Sequence, residues 1–174
     1  MANIQLSGPI PSAMLTAQPD TASLKDSIVL IPGGAQGLGA KIARQCTAAG
    51  ARVTITNIND TKGQDLALAL RTNVQFVHCD VTRWSDQVQA VKAAIRFAPG
   101  GGGSAAAPTL DYFVINTSII DKPFFLTNNL RIINLDSKDP PKLNTRPINV
   151  NIKGTIFNLK LAQLYITFPP IITI

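Results

Sequence analysis

A glycine-rich segment near residue 35 carries the strongest chemical signal in the sequence. It reads Ile31-Pro32-Gly33-Gly34-Ala35-Gln36-Gly37-Leu38-Gly39 and lies between a short apolar run and a segment with helical spacing. Gly33 would let the chain turn tightly off a strand, Gly37 would let backbone amides approach a pyrophosphate, and Gly39 would let a helix pack on a sheet. The helix start adds unpaired N–H groups and a positive dipole end. The pattern predicts a dinucleotide phosphate site, with an ordinary glycine-rich turn as the alternative.

The elements that must position this turn follow from an alternation of short apolar runs and helical periods. Strands are predicted at 27–31, 53–56, 74–77 and 110–115, and helices at 38–49, 65–71 and 84–97. This alternation predicts an α/β fold, a Rossmann-type doubly wound parallel sheet with helices on both faces. Right-handed crossovers give the strand order 3-2-1-4. Residues 117–144 show no convincing period.

The remaining segments set the predicted domain boundaries. We expect residues 1–24 to be a variable leader, 25–165 one nucleotide-binding domain and 166–174 an atypical apolar tail. The segment 145–165 is helical in pattern and apolar on nearly every side, which indicates a buried helix or an interface. The leader lacks a secretory pattern, and no run reaches the roughly 20 apolar residues of a membrane span. We therefore expect a cytoplasmic protein without a membrane partner.

Charge and cysteine content argue against two other classes of function. The net charge is +6, but the basic residues are scattered and form no block or basic-aromatic stripe, so we expect no nucleic-acid partner. Cys46 and Cys79 lack metal-ligand spacing, and His78 is the only histidine. We expect two reduced core thiols and no metal site.

The spacing of Gly33, Gly37 and Gly39 resembles the G-x-x-x-G-x-G motif of the short-chain dehydrogenase/reductase family. The likeness covers about residues 24–165 and is nearest to the branch of 15-hydroxyprostaglandin dehydrogenase and fungal alcohol dehydrogenase-like proteins. It implies a nicotinamide dinucleotide cofactor held by the turn, including Gln36 and Leu38. Pro32 departs from the family's usual threonine and removes a hydroxyl and a backbone donor.

The resemblance also assigns a residue to the adenosine ribose. Members that prefer NAD place an aspartate at the end of the second strand, where this chain has Asn57. An amide still bonds a ribose hydroxyl but does not repel a 2′-phosphate. No Arg or Lys stands at Gln36 or Ile58 to bind that phosphate, so NAD is favoured weakly over NADP. As an alternative, Asn57 is a turn residue together with Asn59 and Asp60.

Two further matches follow the third and fourth strands. Asp80 and Val81 resemble the family's Asp-Val pair, whose carboxylate contacts the adenine amino group. Alternatively Asp80 caps the helix at Trp84, a role for which Thr82 and Ser85 compete. Asn116 matches the second asparagine of the family's Asn-Asn-Ala-Gly turn, but Thr117-Ser118 replaces its small pair.

The catalytic part of the resemblance is incomplete. Asn151 matches the asparagine that holds a water in the family's proton relay, or it is a helix residue bonded to backbone. The family's catalytic Ser and Tyr-x-x-x-Lys have no counterpart, since Tyr112 is followed four positions on by Asn116 and Tyr165 by Pro169. We therefore expect a truncated family member that is inactive alone. Two alternatives stay open: a non-catalytic dinucleotide-binding or dimerising module, which would pair through 145–165, and a gene-model fragment without independent function.

Overall fold

A four-stranded parallel sheet forms the centre of the chain, in the order β3-β2-β1-β4. The computed structural model describes residues 21–97, 109–120 and 144–166. The leader up to residue 20, the tail from 167 and most of 117–144 lie outside these residues. The predicted strand order and the doubly wound α/β architecture are confirmed.

The elements alternate as the periodicity indicates. A 3₁₀ turn at Ala22–Leu24 precedes β1 (Ile28–Pro32), α1 (Gly37–Ala48), β2 (Arg52–Asn57), α2 (Asp60–Leu70), β3 (Val74–His78), α3 (Trp84–Arg96) and β4 (Tyr112–Phe113). The last helical segment consists of α4 (Arg146–Ile148), a π-helical turn (Asn149–Gly154) and α5 (Thr155–Tyr165). We call these three consecutive pieces the 146–165 helix.

The core has two halves because successive strand residues point to opposite faces of the sheet. On one face Val29, Ile31, Val53 and Ile55 are packed with apolar residues of α1 and α2. On the other face Leu30 is packed with residues of α3 and with Leu161 of the 146–165 helix. All these side chains are almost completely buried. Burial on both faces explains the continuous apolar strands.

Helix α2 begins earlier than the predicted start at Asp65. The side chain of Asn59 accepts a hydrogen bond from the Lys62 backbone N–H at 3.0 Å, which makes Asn59 the N-cap. Asp60 is then the first helical residue, where a carboxylate interacts favourably with the helix dipole. The interpretation of Asn59 and Asp60 as turn residues was therefore wrong for Asp60.

The fourth strand is much shorter than the predicted range 110–115. Only Tyr112 and Phe113 pair with β1, opposite Val29 and Leu30. Val114 still donates its N–H to the Leu30 carbonyl at 2.9 Å. Beyond that bond the chain leaves the sheet and brings Asn116 beneath the glycine turn. The strand therefore ends in a turn that contacts Gly33.

The first residues of two predicted helices, Leu38 and Trp84, are apolar but exposed. Leu38, on the first turn of α1, is 66% exposed and lines the cleft described below. Trp84 is 41% exposed and makes an edge-on contact with Phe157, with ring centroids 5.4 Å apart. Helical spacing alone does not separate a core position from a position at a cleft or a helix-helix edge.

Candidate functional site: a dinucleotide cleft at the end of the sheet

The glycine turn joins β1 to α1 and requires two left-handed backbone positions. Gly33 has φ +73° and Gly37 has φ +58°, which side chains other than glycine adopt only with strain. Space around Gly37 is open, since a Cβ there would meet no atom within 4 Å. Helix α1 begins at Gly37, and its N-cap Gln36 makes no side-chain capping bond. Unpaired amides of the first helical turn are therefore available to a ligand.

Gly39 is needed for a different reason, close packing. A Cβ at Gly39 would lie 2.5 Å from the Gly33 carbonyl oxygen and 2.6 Å from Nδ2 of Asn116. That same Nδ2 donates to the Gly33 carbonyl at 3.2 Å. Gly34 is similarly confined, since its Cβ would lie 2.8 Å from both the Ile31 carbonyl oxygen and Cγ2 of Ile55. Gly34 lies outside the G-x-x-x-G-x-G spacing and was not among the predicted site residues.

A cleft of about 920 Å³ opens at the carboxyl ends of the strands, next to this turn. Ligands of parallel α/β sheets bind at this edge, where strand order reverses. Of the sequence-predicted site residues, eight line the cleft: Gly33, Gln36, Gly37, Leu38, Asn57, Asp80, Val81 and Asn116. Gly39 and Asn151 are not among the lining residues, although Gly39 is packed against Gly33 and Asn116, which are. Arg146, which sequence reasoning missed, lines the cleft from the 146–165 helix.

Asn57 lies in the turn after β2 and lines the cleft, while its predicted contact with a ribose stays a prediction. It lines the cleft, and its Oδ1 accepts a hydrogen bond from the Asn59 backbone N–H at 2.9 Å. The Oδ1 acceptor of Asn57 is therefore occupied by this hydrogen bond within the turn. The Nδ2 donor of Asn57 takes no part in the bond. Beside it, Nζ of Lys62 donates to Oε1 of Gln36 at 2.7 Å.

Asp80 forms a local turn and does not cap a helix. Its Oδ1 accepts from the Thr82 backbone N–H at 2.9 Å and from the Thr82 hydroxyl at 2.8 Å. The N-cap of α3 is Arg83, which makes no side-chain capping bond, so the capping alternatives Asp80, Thr82 and Ser85 were all wrong. The carboxylate is oriented by Thr82 at the cleft wall, with Oδ2 outside these two bonds.

Thr117 fits behind the glycine turn despite its size. Its Oγ1 would lie 2.9 Å from a Cβ placed on Gly33. This hydroxyl is buried and has no hydrogen-bond partner within the described residues. The turn after β4 therefore accommodates Thr117-Ser118 in place of a smaller pair, because Gly33 leaves space for the threonine.

Asn151 ties the 146–165 helix to the turn after β4. Its Nδ2 donates to the Ile119 carbonyl and its Oδ1 accepts from the Ile119 N–H, both at 2.9 Å. The side chain therefore bonds to backbone, but to a distant segment and not within its own helix. The π-helical turn at Asn149–Gly154 contains this residue, and such turns are frequent at functional sites.

Gln87 clamps the 146–165 helix to the cleft wall by bonding to the backbone of both. The residue is 2% exposed, and its Nε2 donates to the carbonyls of Val81 and Gly154, the latter at 3.2 Å. Gly154 lies directly against Val81, since a Cβ there would be 3.0 Å from Cγ2 of Val81. One buried amide thus links the cleft wall, α3 and the π-helical turn. The sequence gives no local signal for this link.

Cys79 lines the cleft, but its thiol has low reactivity. Burial, reinforced by the negative charge of Asp86, raises the pKa of Cys79 from 9.0 to about 12. Burial also raises the pKa of Cys46. Both cysteines are free and buried, as expected for core thiols. A thiol that stays protonated at neutral pH is a poor nucleophile.

The described residues contain no group of three or more His, Cys, Asp or Glu side chains that could hold a metal ion. His78 instead pairs with Asp60, with Nδ1 and Oδ1 2.7 Å apart. In the same part of the chain, no helix has the length and apolar character needed to cross a membrane. Tyr112 and Tyr165 are not among the residues that line the cleft.

The parallel sheet, the glycine turn and the cleft at its edge define a Rossmann-type dinucleotide-binding fold. The family model for short chain dehydrogenase matches residues 27–165. The chain therefore belongs to the short-chain dehydrogenase family, as its motif indicated.

Individual relatives agree with this assignment. The chain is 32% identical over 162 residues to 5′-hydroxyaverantin dehydrogenase of Dothistroma septosporum, covering 90% of this chain and 51% of that protein. It is 33% identical over 140 residues to short-chain dehydrogenase reductase 3b of Arabidopsis thaliana, covering 80% and 47%. The chain thus spans about half the length of these relatives.

A solved structure shows the same fold. The 3-ketoacyl-(acyl-carrier-protein) reductase from Brucella melitensis, complexed with NADH, superposes with a TM-score of 0.64 at 22% identity. The match covers 82% of this chain and 51% of that one.

Proposed function

We propose that this chain is the nucleotide-binding part of a short-chain dehydrogenase and holds a nicotinamide dinucleotide in the cleft between β1, α1 and the turn after β4. One observation carries the proposal: α1 starts uncapped at an open Gly37, while Gly39 packs against Gly33 and Asn116. This arrangement leaves room and free amides where a pyrophosphate needs both. When bound, the dinucleotide supplies a hydride donor or acceptor for alcohol and carbonyl chemistry.

The protein's own groups have distinct roles in this proposal. Amides of Gly37, Leu38 and Gly39 bind the pyrophosphate, with the Gln36 backbone at the helix start. Oδ2 of Asp80 accepts from the adenine amino group, and Val81 packs on the ring. Asn116 holds the glycine turn through the Gly33 carbonyl. A saturable titration of the chain with NADH, competed by ADP-ribose, tests the proposal.

Asn57 contacts the adenosine ribose in the same proposal and favours NAD weakly over NADP. Its amide donor can bond a ribose hydroxyl, and neither Gln36 nor Ile58 carries a positive charge. The preference is weak because Asn57, unlike an aspartate, does not repel a 2′-phosphate.

We further propose that the chain is inactive alone. Asn151 is the one member of the family's catalytic tetrad with a counterpart in these 174 residues, and its side chain is engaged with Ile119. Without a Tyr-x-x-x-Lys pair there is no group whose lowered pKa would exchange a proton with the substrate oxygen. We expect no reduction of NAD or NADP by secondary alcohols. Sustained turnover by the purified chain would refute this part.

A second candidate function, a dimerising module, is favoured by the surface of the 146–165 helix. Ile148, Ile152, Ile156 and Leu159 are each 42–58% exposed and recur every three or four residues. Apolar side chains at this spacing form a stripe suited to a partner helix. A second copy or a longer relative would cover it. A monomer that binds no dinucleotide would instead favour a fragment without independent function.

The two free, buried thiols support our proposal of a reducing, cytoplasmic location. Fractionation of cells that express the tagged chain tests this location.

A further inference from the structure

Lys62 is bonded to a residue of the cleft although it lies well past the end of β2 in sequence. It is the third residue of α2, and its Nζ donates to Oε1 of Gln36 at 2.7 Å. Gln36 and Asn57 both line the cleft. The first turn of α2 therefore places the Lys62 ammonium against Gln36, while Lys62 itself is exposed and is not among the residues that line the cleft.

The charge of this ammonium is not neutralised by a carboxylate. In the described ranges no Asp or Glu oxygen lies within the 4 Å of an ion pair with Lys62. The nearby Asp60 is engaged with His78 at 2.7 Å. The bonded partner Gln36 is neutral and uses one of the three ammonium donors. The ammonium therefore retains both its charge and donors for a ligand.

Asn57, which lines the cleft, also offers a hydrogen-bond donor. Its Oδ1 is occupied by the Asn59 backbone N–H, which leaves the Nδ2 donor as its contribution to the cleft. An amide donor that lines the cleft and a cation bonded to the lining residue Gln36 match the oxygens of a phosphate group.

We infer that Lys62, positioned by Gln36, binds a phosphate on the adenosine ribose, so that the cleft accepts NADP with an affinity close to that for NAD. This inference rests on the proposed function and deepens it, because it names the group that keeps the preference for NAD weak. Positions 36 and 58 lack a basic residue, and Lys62 supplies the charge from the next helix. The hydrogen bond from Lys62 to Gln36 assigns this role, since Lys62 lies well past the end of β2 in sequence.

The test compares NADPH and NADH dissociation constants, measured by calorimetry, for the full chain and three variants. Lys62→Gln removes the charge, Lys62→Arg keeps it, and Lys92→Gln removes an exposed charge from another helix, α3. We expect Lys62→Gln to weaken NADPH binding by about five- to tenfold, the effect of one charge-assisted phosphate contact. NADH binding should change less than about twofold, and Lys92→Gln should leave both constants unchanged.

The other outcomes distinguish a failure of the inference about Lys62 from a failure of the proposed dinucleotide binding. Equal loss of NADPH and NADH affinity in Lys62→Gln would overturn the inference, as would no loss of either, while dinucleotide binding itself would stand. Failure of the unmodified chain to bind either cofactor would refute the proposed function and the inference with it. A second measurement needs only traces of protein: retention of the radiolabelled chain on immobilised 2′,5′-ADP should fall in Lys62→Gln, and retention on immobilised 5′-AMP should not.

Discussion

At the scale of residues, the glycines of the motif are required by two separate physical constraints. Gly37 has a left-handed backbone and empty space around it, whereas Gly39 has neighbours within 2.6 Å of any added Cβ. The spacing in the sequence predicted the close packing at Gly39, and the role of Gly37 beside a pyrophosphate stays a prediction. It could not predict the confinement of Gly34 by Ile55, because that contact depends on how β2 lies beside β1.

Alanine substitutions should separate the two constraints. In Gly37→Ala the added methyl meets only backbone strain, which costs roughly 1–2 kcal/mol. In Gly39→Ala it collides with the Gly33 carbonyl and with Asn116. We expect a loss of about 2–4 kcal/mol in unfolding free energy, together with loss of NADH binding. Urea unfolding measures both variants, and equal stabilities would contradict the packing argument.

The buried thiol of Cys79 predicts a loss of stability at alkaline pH. Its pKa rises from 9.0 in an exposed thiol to about 12 in the folded chain. The unfolded thiol therefore ionises first as the pH rises through 9, and the contribution to stability is lost progressively between pH 9 and 12. We expect Cys79→Ala to melt with a flatter decline over this range than the unmodified chain. Parallel declines would show that Cys79 is not the group responsible.

At the scale of elements, local pattern predicted where strands and helices lie but not how they are joined. The apolar run of β1 and the period of α1 were correct within a residue or so at each end. The length of β4 was wrong, since only contact with β1 and the demand for Asn116 under the turn determine where pairing stops. The Gln87 clamp was invisible because its partners Val81 and Gly154 contribute backbone carbonyls, which carry no sequence signal.

Removal of this clamp should loosen the 146–165 helix from the cleft wall. Gln87→Leu keeps the volume of the side chain but leaves two carbonyls without the buried donor. We expect a loss of about 2–4 kcal/mol, since each unsatisfied group costs about 1–3 kcal/mol. Gln89→Leu, on the exposed side of the same helix, is the matched control and should change stability by less than about 0.5 kcal/mol. Similar unfolding midpoints in urea for the two variants would argue against a clamp.

At the scale of the whole molecule, the exposed stripe of the 146–165 helix sets the expected association behaviour. Four apolar side chains, Ile148, Ile152, Ile156 and Leu159, share it. The sequence predicted an apolar helix but left open whether it was buried or formed an interface. The described residues leave these side chains exposed, which favours an interface.

Charged substitutions on this stripe should reduce self-association. We expect the double variant Ile152→Lys with Ile156→Lys to sediment as a smaller species than the unmodified chain, because it removes apolar area and adds like charges. Leu68→Lys, at a leucine that is 75% exposed on α2, controls for the added charge and should not change the species. Analytical ultracentrifugation gives the masses. An unchanged mass in the double variant would place any association surface elsewhere.

The most direct test of the account is calorimetric titration of the folded chain with NADH, after circular dichroism has established a cooperative melt. We predict saturable binding with one site per chain, competed by ADP-ribose and lost in Gly39→Ala. Bound dinucleotide at 100 times its dissociation constant should stabilise the fold by about 2.7 kcal/mol. A folded chain that binds no NADH or NADPH at millimolar concentration would contradict the central claim that the cleft is a dinucleotide site.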